Sequence, residues 1–142
     1  MKNITIHGFE ISVATYKYVE QELFNYDTTK KELEILKEEI LSGTGPGTET
    51  GIRGSGTSDT TANKAIRLMS SPTIIHLEHT AAAIEKTLKV LKKGHRDVFD
   101  LYYVQGLDAE TITFEHFINR SALGRKRQDL ILVTARNLGL VQ

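Results

Sequence analysis

The residues whose types could do chemistry together lie between positions 119 and 128, NRSALGRKRQ. There Arg120, Arg125, Lys126 and Arg127 accompany Asn119, Ser121, Gly124 and Gln128 without one carboxylate. The whole chain has no net charge, so positive charge is concentrated here. A guanidinium can bond guanine through two hydrogen bonds, a glutamine amide can bond adenine in the same way, and lysine or arginine can neutralise phosphate. The chemistry is therefore recognition of double-stranded DNA. At about 100° per residue, Leu123, Leu130, Thr134 and Leu138 fall on one side of a helix, and Ser121, Gly124, Arg125 and Gln128 on the other. Arg125 and Gln128 are the candidates for base edges, Lys126 and Arg127 for phosphates, and Gly124 would let the backbone approach closely. Arg127 lies toward the apolar side, so its stem would have to pack while its head escapes. The bland alternative is a solvated amphipathic helix whose basic residues only keep it soluble.

What would have to position these residues is the segment before them. His95 to Gln105 reads as a compact aromatic helix and Asp108 to His116 as a second short one. Phe117, Ile118 and Asn119 make a tight connection into a long last helix, the order of a helix-turn-helix over residues 95–140. Asn119 is a good N-cap, since its side-chain oxygen can accept an orphan N–H of the first turn. Ile112, Phe117 and Ile118 have the spacing to bury one helix against the next, and Thr113 is small enough for the crossing. No glycine occurs at the turn.

Upstream, residues 4–9 read as an extended lead-in and residues 10–24 as a helix. Asn25 to Asp27 breaks it, Asp27 or Thr28 caps the next helix, and residues 30–41 place Leu33, Leu36 and Ile40 on one face. This acidic helical hairpin fills residues 1–42. Residues 43–57, dense in glycine and poor in anything that could be buried, read as a flexible linker. They are not a phosphate cradle, for no GxxxxGK[ST] pattern occurs and no strand precedes them. Residues 58–142 form the remaining helical domain. Within it, residues 58–70 make a short helix with Ala62, Ala65, Ile66 and Met69 on its apolar side, and Ser71-Pro72 ends it. Residues 73–93 make the longest helix, on which Ile74, Leu77, Ala81, Ile84, Leu88 and Leu91 form a seam. That seam could be a bundle spine or a contact between two copies in a homo-oligomer. The fold expected is all-α: a helical hairpin, a glycine-rich linker and a bundle ending in the helix-turn-helix.

The rest of the sequence narrows the class. A chain of 142 residues, 39% hydrophobic and 25% charged, is an ordinary globular one. It has no cysteine, so disulfides, thiolate chemistry and zinc fingers are excluded. No signal peptide and no membrane span is read, and the expected location is the cytoplasm. Zero net charge argues against diffuse binding to nucleic acid, but the charge is uneven: residues 1–42 hold 5 basic and 8 acidic residues, residues 58–94 hold 6 and 3. His76 and His79 are three apart but lack a third metal ligand. No catalytic motif stands out, and no cofactor is expected.

Three blocks bring the chain close to a known group. They are the hairpin that contains Tyr26 and ends ELEILKEEI, the stretch TSDTTANKAIRL at residues 57–68, and the Leu-Tyr-Tyr of residues 101–103 before the basic helix. In this order and texture the chain resembles the ArpU and RinA group of phage and prophage transcriptional regulators. The resemblance implies a terminal part similar to the DNA-binding region four of sigma factors. It also implies an activator of phage late genes for packaging and lysis, in a bacterial host whose RNA polymerase it could contact. It carries candidate DNA contacts onto Arg120, Ser121, Gly124, Arg125 and Gln128. Lys126 departs from the pattern, which has an apolar residue at that place. The alternative functions are the DNA-recognition subunit of a phage packaging machine and a helical adaptor that binds only protein.

Overall fold

Ile4, Ile6 and Ile11 alternate with polar neighbours around His7-Gly8. In the computed structural model, which describes residues 2–42 and 61–141, this stretch is an antiparallel hairpin. Strand β1 (Asn3–Ile6) pairs with β2 (Phe9–Ser12), Ile4 opposite Ile11 and Ile6 opposite Phe9. His7 and Gly8 turn the chain with φ of 47° and 83°, the left-handed pair whose twist matches that of two-residue hairpins. The lead-in is thus a hairpin, and the helix expected from residue 10 starts at residue 13. Ser12 stops the strand by capping α1 (Val13–Phe24), its Oγ accepting the Thr15 N–H at 3.1 Å.

The fold is mostly helical, with 79% of the described residues in helices and the hairpin as a small addition. Asn25 caps the end of α1 and α2 (Tyr26–Ser42) follows at once, so the second helix begins earlier than Asp27 or Thr28 would have started it. Helix α3 (Thr61–Ser70) leads to α4 (Pro72–Val90). Ser71 caps α4 by accepting the Ile74 N–H, and Pro72 takes the first position, where its missing donor costs nothing. Helix α5 (Lys93–Val98) continues as a π-helical stretch, Phe99–Val104. Then come α6 (Ala109–His116), capped by Asp108, and α7 (Arg120–Asn137), capped by Asn119. No helix among the described residues is long and apolar enough to cross a membrane.

The chain divides into two compact units, the residues up to Asp27 with those from Thr80 onward, and Thr28–His79. The division differs from the expected break after residue 42. The hairpin and α1 belong with the C-terminal helices, because Ile6, Ile11, Val19 and Leu23 share one core with Ile84, Val98, Ile112, Leu123, Leu130 and Ile131. The expected linker, residues 43–57, lies outside the described residues. In the other unit Lys64 Nζ donates to the Leu41 carbonyl at 2.6 Å, and Lys37 pairs with Glu78 at 2.7 Å. There α3 leaves Ile66 and Met69 exposed, while Leu33, Leu36 and Ile40 are half-buried.

Along α4, Ile74, Ala81 and Ile84 are buried and Leu77 and Leu88 half-buried, as is Leu91 just past its end. Thr80 and Thr87 are buried as well, which is the width of an ordinary amphipathic face rather than a narrow seam. Ile84 lies in the core of the chain itself. At the level of Ile84, Leu88 and Leu91 the stripe packs within the core of this chain.

Candidate nucleic-acid interface

Helix α7 is held from three sides. It packs against α1, α5 and α6 and buries Leu123, Leu130, Ile131, Leu132, Thr134 and Ala135. Toward α4 the contact is partly polar. Thr134 Oγ1 donates to Thr87 Oγ1 at 3.1 Å, Thr87 donates on to the Ala83 carbonyl at 2.8 Å, and Asn137 Nδ2 donates to Thr87 Oγ1 at 2.9 Å. Every member of this buried chain is satisfied, so it fixes the rotation of α7 about its axis more sharply than apolar packing would.

That rotation decides which side chains reach solvent. Asn119 Oδ1 accepts the Ser121 N–H at 2.7 Å, which leaves other first-turn N–H groups pointing outward. Asn119, Arg120, Ser121 and Arg125 are exposed, and Gly124 and Gln128 are half-exposed on the same side. A side chain at Gly124 would meet nothing within 4 Å, so the backbone is approachable there. Free N–H groups at a helix start, two guanidinium groups and no acidic residue in the first turn form a surface that attracts anions.

The two remaining cations are partly covered by the rest of the chain. Lys126 is half-buried, and its Cε would stand 2.8 Å from a Cβ added at Gly94. Its stem lies over the glycine at the start of α5, which is how a lysine occupies a place suited to an apolar residue. Arg127 Nη2 donates to Glu20 Oε2 at 2.7 Å, and its guanidinium stacks on Tyr102 with the central carbon 4.2 Å from the ring centroid. The Tyr103 hydroxyl donates to the same carboxylate oxygen at 2.7 Å. Burial acts against the charged form of Arg127, but the bonds to Glu20 and Tyr103 hold its guanidinium above the usual range. Burial and then Glu20 push the Tyr103 hydroxyl above the usual phenol range. Arg127 therefore joins α7 to α1 and the aromatic stretch. The head expected to hold phosphate is bonded here to a carboxylate 107 residues away.

Next to Gln128, Asp129 ties in the hairpin turn and α5. The Nε2–H of His7 donates to Oδ1 at 2.6 Å and the Nε2–H of His95 to Oδ2 at 2.8 Å. Burial raises the Asp129 pKa, but the hydrogen bonds and charges of His95 and His7 outweigh it and hold the carboxyl below its ordinary value. A depressed carboxyl pKa contributes stability that is complete above the unfolded value of about 4 and is lost as pH falls through the folded value. Unfolding by urea should therefore show a larger loss of stability between about pH 5 and about pH 3 for the native protein than for Asp129→Asn. Equal losses would show that the cluster adds nothing to folding.

The connection between α6 and α7 differs from expectation at one residue. Ile112 is fully buried and Ile118 half-buried, but Phe117 is 89% exposed and Phe114 is 82% exposed. Phe117 supplies the left-handed turn itself, with φ 57° and ψ 35°, at a cost on the order of 1–2 kcal/mol for a residue with a Cβ. Phe114, Phe117, Thr113, Glu110 and Arg120 line an open groove. The signal for it was the missing glycine, which forces some other residue into the left-handed conformation and turns its side chain away from the core. Comparison with models of protein families, with curated proteins and with solved structures gave no match.

Proposed function

We propose that α6 and α7 act as a helix-turn-helix that reads double-stranded DNA in the major groove. On this reading the chain is a transcriptional activator of phage late genes, as its resemblance to the ArpU and RinA group implies. One observation carries the reading. The exposed side of the first three turns of α7 presents Asn119, Arg120, Ser121, Gly124, Arg125 and Gln128 with no carboxylate among them, while Leu123 and Leu130 face the core. An eight-residue helix, a three-residue connection and a long capped helix have the order of a helix-turn-helix, in which the second helix enters the groove by its N-terminal turns. Arg125 and Gln128 read base edges, Arg120 and Ser121 hold phosphates, and Lys126 lies near enough to the edge to add charge. Arg127 belongs to the support of the helix. No reaction is required of the protein, and activation would bring it against host RNA polymerase.

Fluorescence anisotropy tests this with a duplex selected from a random library and a scrambled control, at several salt concentrations. Arg125→Ala or Gln128→Ala should cost roughly 1–3 kcal/mol on the selected duplex and relax preference at one base pair. Arg120→Ala should weaken both duplexes alike and lower the salt slope by about one. If no duplex is enriched and none of the three variants alters affinity at low salt, the DNA reading fails. The reading as a helical adaptor that binds only protein then stands in its place.

A further inference from the structure

Asp129 is the only acidic residue of α7, one position after Gln128. Ser121, Arg125 and Asp129 follow at intervals of four and so form one row along the helix. A bare carboxylate at the end of that row would repel phosphate and draw Arg125 toward itself. Both of its oxygens are taken instead by histidines, Oδ1 by His7 from the hairpin turn and Oδ2 by His95 from α5. The two rings differ in what surrounds their other nitrogen. Nδ1 of His95 is buried, whereas 65% of the His7 side chain is in solvent. The core does not call for a histidine at that place, and neither does the turn. Position 7 is the first of two left-handed residues in a two-residue hairpin, where Asn-Gly is a favoured pair.

We propose that His7 is a further DNA contact, which bonds a backbone phosphate only when its ring carries two protons, so that duplex affinity rises as pH falls through the histidine range. The proposal rests on the DNA reading and brings the hairpin turn into it as a second element on the duplex. An ionised carboxylate only accepts hydrogen bonds, so the nitrogen of His7 that faces Asp129, Nε2, carries the hydrogen. In the neutral ring Nδ1 is then a bare lone pair, and a phosphate oxygen meets it with lone pairs of its own. A second proton makes Nδ1 a donor and charges the ring, while Asp129 holds the imidazolium in place.

The other charges near the cluster do not supply such a change. On α5, Lys93 pairs with Asp97 at 3.2 Å and Arg96 donates to the Leu88 and Leu91 carbonyls. On α7, Arg136 lies over Phe9, and Lys126 lays its stem across Gly94, the residue before His95. The hairpin itself adds Lys2 and Glu10, and α1, which packs on it, adds Lys17, Glu20 and Glu22. Lysine, arginine and ordinary carboxylates keep their charge between about pH 6 and about pH 8, where histidine does not. His95 offers the duplex no donor, because its second nitrogen is covered.

The test is anisotropy of the selected duplex with the full chain at about pH 6 and about pH 8, at equal ionic strength. The native protein should bind about fivefold more tightly at the lower pH, with a salt slope steeper by about one. His7→Asn gives the turn its favoured pair, so the variant should melt no earlier than the native protein. It should lose the pH dependence and bind at both values as the native protein does at the higher one. His7→Lys carries its charge throughout and should bind at the higher pH nearly as tightly as the native protein does at the lower. Discrimination between selected and scrambled duplexes should stay the same in both variants, since a phosphate carries no sequence. Equal affinity of the native protein at the two pH values overturns the proposal. So does a His7→Asn protein that keeps the native pH dependence; loss of that dependence in His116→Asn would then place the proton at the end of α6. Binding of the selected duplex without pH dependence leaves the DNA reading standing and removes His7 from it, whereas no duplex bound at either pH removes both.

Discussion

Replacing Arg127 by alanine is expected to lower the stability of the fold by about 2–3 kcal/mol without changing how steeply duplex affinity falls with salt. The residue sits in the basic run of α7, and in isolation it would be taken for a phosphate contact. Its guanidinium is instead bonded to Glu20 and stacked on Tyr102, and both members of the pair are mostly covered. Removing one partner of a buried ion pair leaves an unpaired charge behind, which costs about 3–5 kcal/mol when burial is complete. The pair keeps 26% and 18% of its side-chain surface in solvent, so the lower figure applies. Lysine should not restore the loss, because it lacks the planar group that both stacks and bonds. Glu20→Ala should destabilise by a similar amount, and the double variant by less than the sum, since the two residues act together. Urea unfolding of the four proteins measures this. A stable Arg127→Ala protein whose salt slope drops by about one would return Arg127 to the DNA surface.

A larger effect is expected from Ile84→Asp. Ile84 is completely buried near the middle of α4, in the same core as Leu123 and Leu130 of α7. An aspartate there has neither a partner nor water, and the cost should reach about 5 kcal/mol or more. Domains of this size hold only about 5–15 kcal/mol of stability, so the variant should be largely unfolded at room temperature. Ile84→Val, which removes one methylene, should cost only about 0.5–1.5 kcal/mol and serves as the control. Circular dichroism during heating distinguishes the two. An unchanged melting curve for Ile84→Asp would mean that α4 packs through some other face.

Much of the candidate interface was readable from local rules. The caps at Asp108 and Asn119 each need only a side chain and an N–H two or three residues on, and the ends of α6 and α7 follow from them. Which side of α7 faces outward follows from the helical repeat and the positions of Leu123, Leu130 and Thr134, with no knowledge of what they pack against. The caps and that repeat are fixed by groups within about one turn of each other, and a sequence displays such groups side by side. Other features depend on residues that meet only after folding. The fate of Arg127 was decided by Glu20 and Tyr102 from other elements, and that of Asp129 by His7 and His95. The helix expected over residues 10–24 gave up its first turn to β2, because Ile6 and Ile11 gain more by burial in a common core than that turn gains from helix bonds. Phe117 followed the same logic in reverse. Burial of Ile112 and Ile118 on either side set the backbone of the turn, and the phenylalanine between them was left in solvent. A helix repeat says where a side chain points along its own axis, but only the packed chain says what is there to meet it.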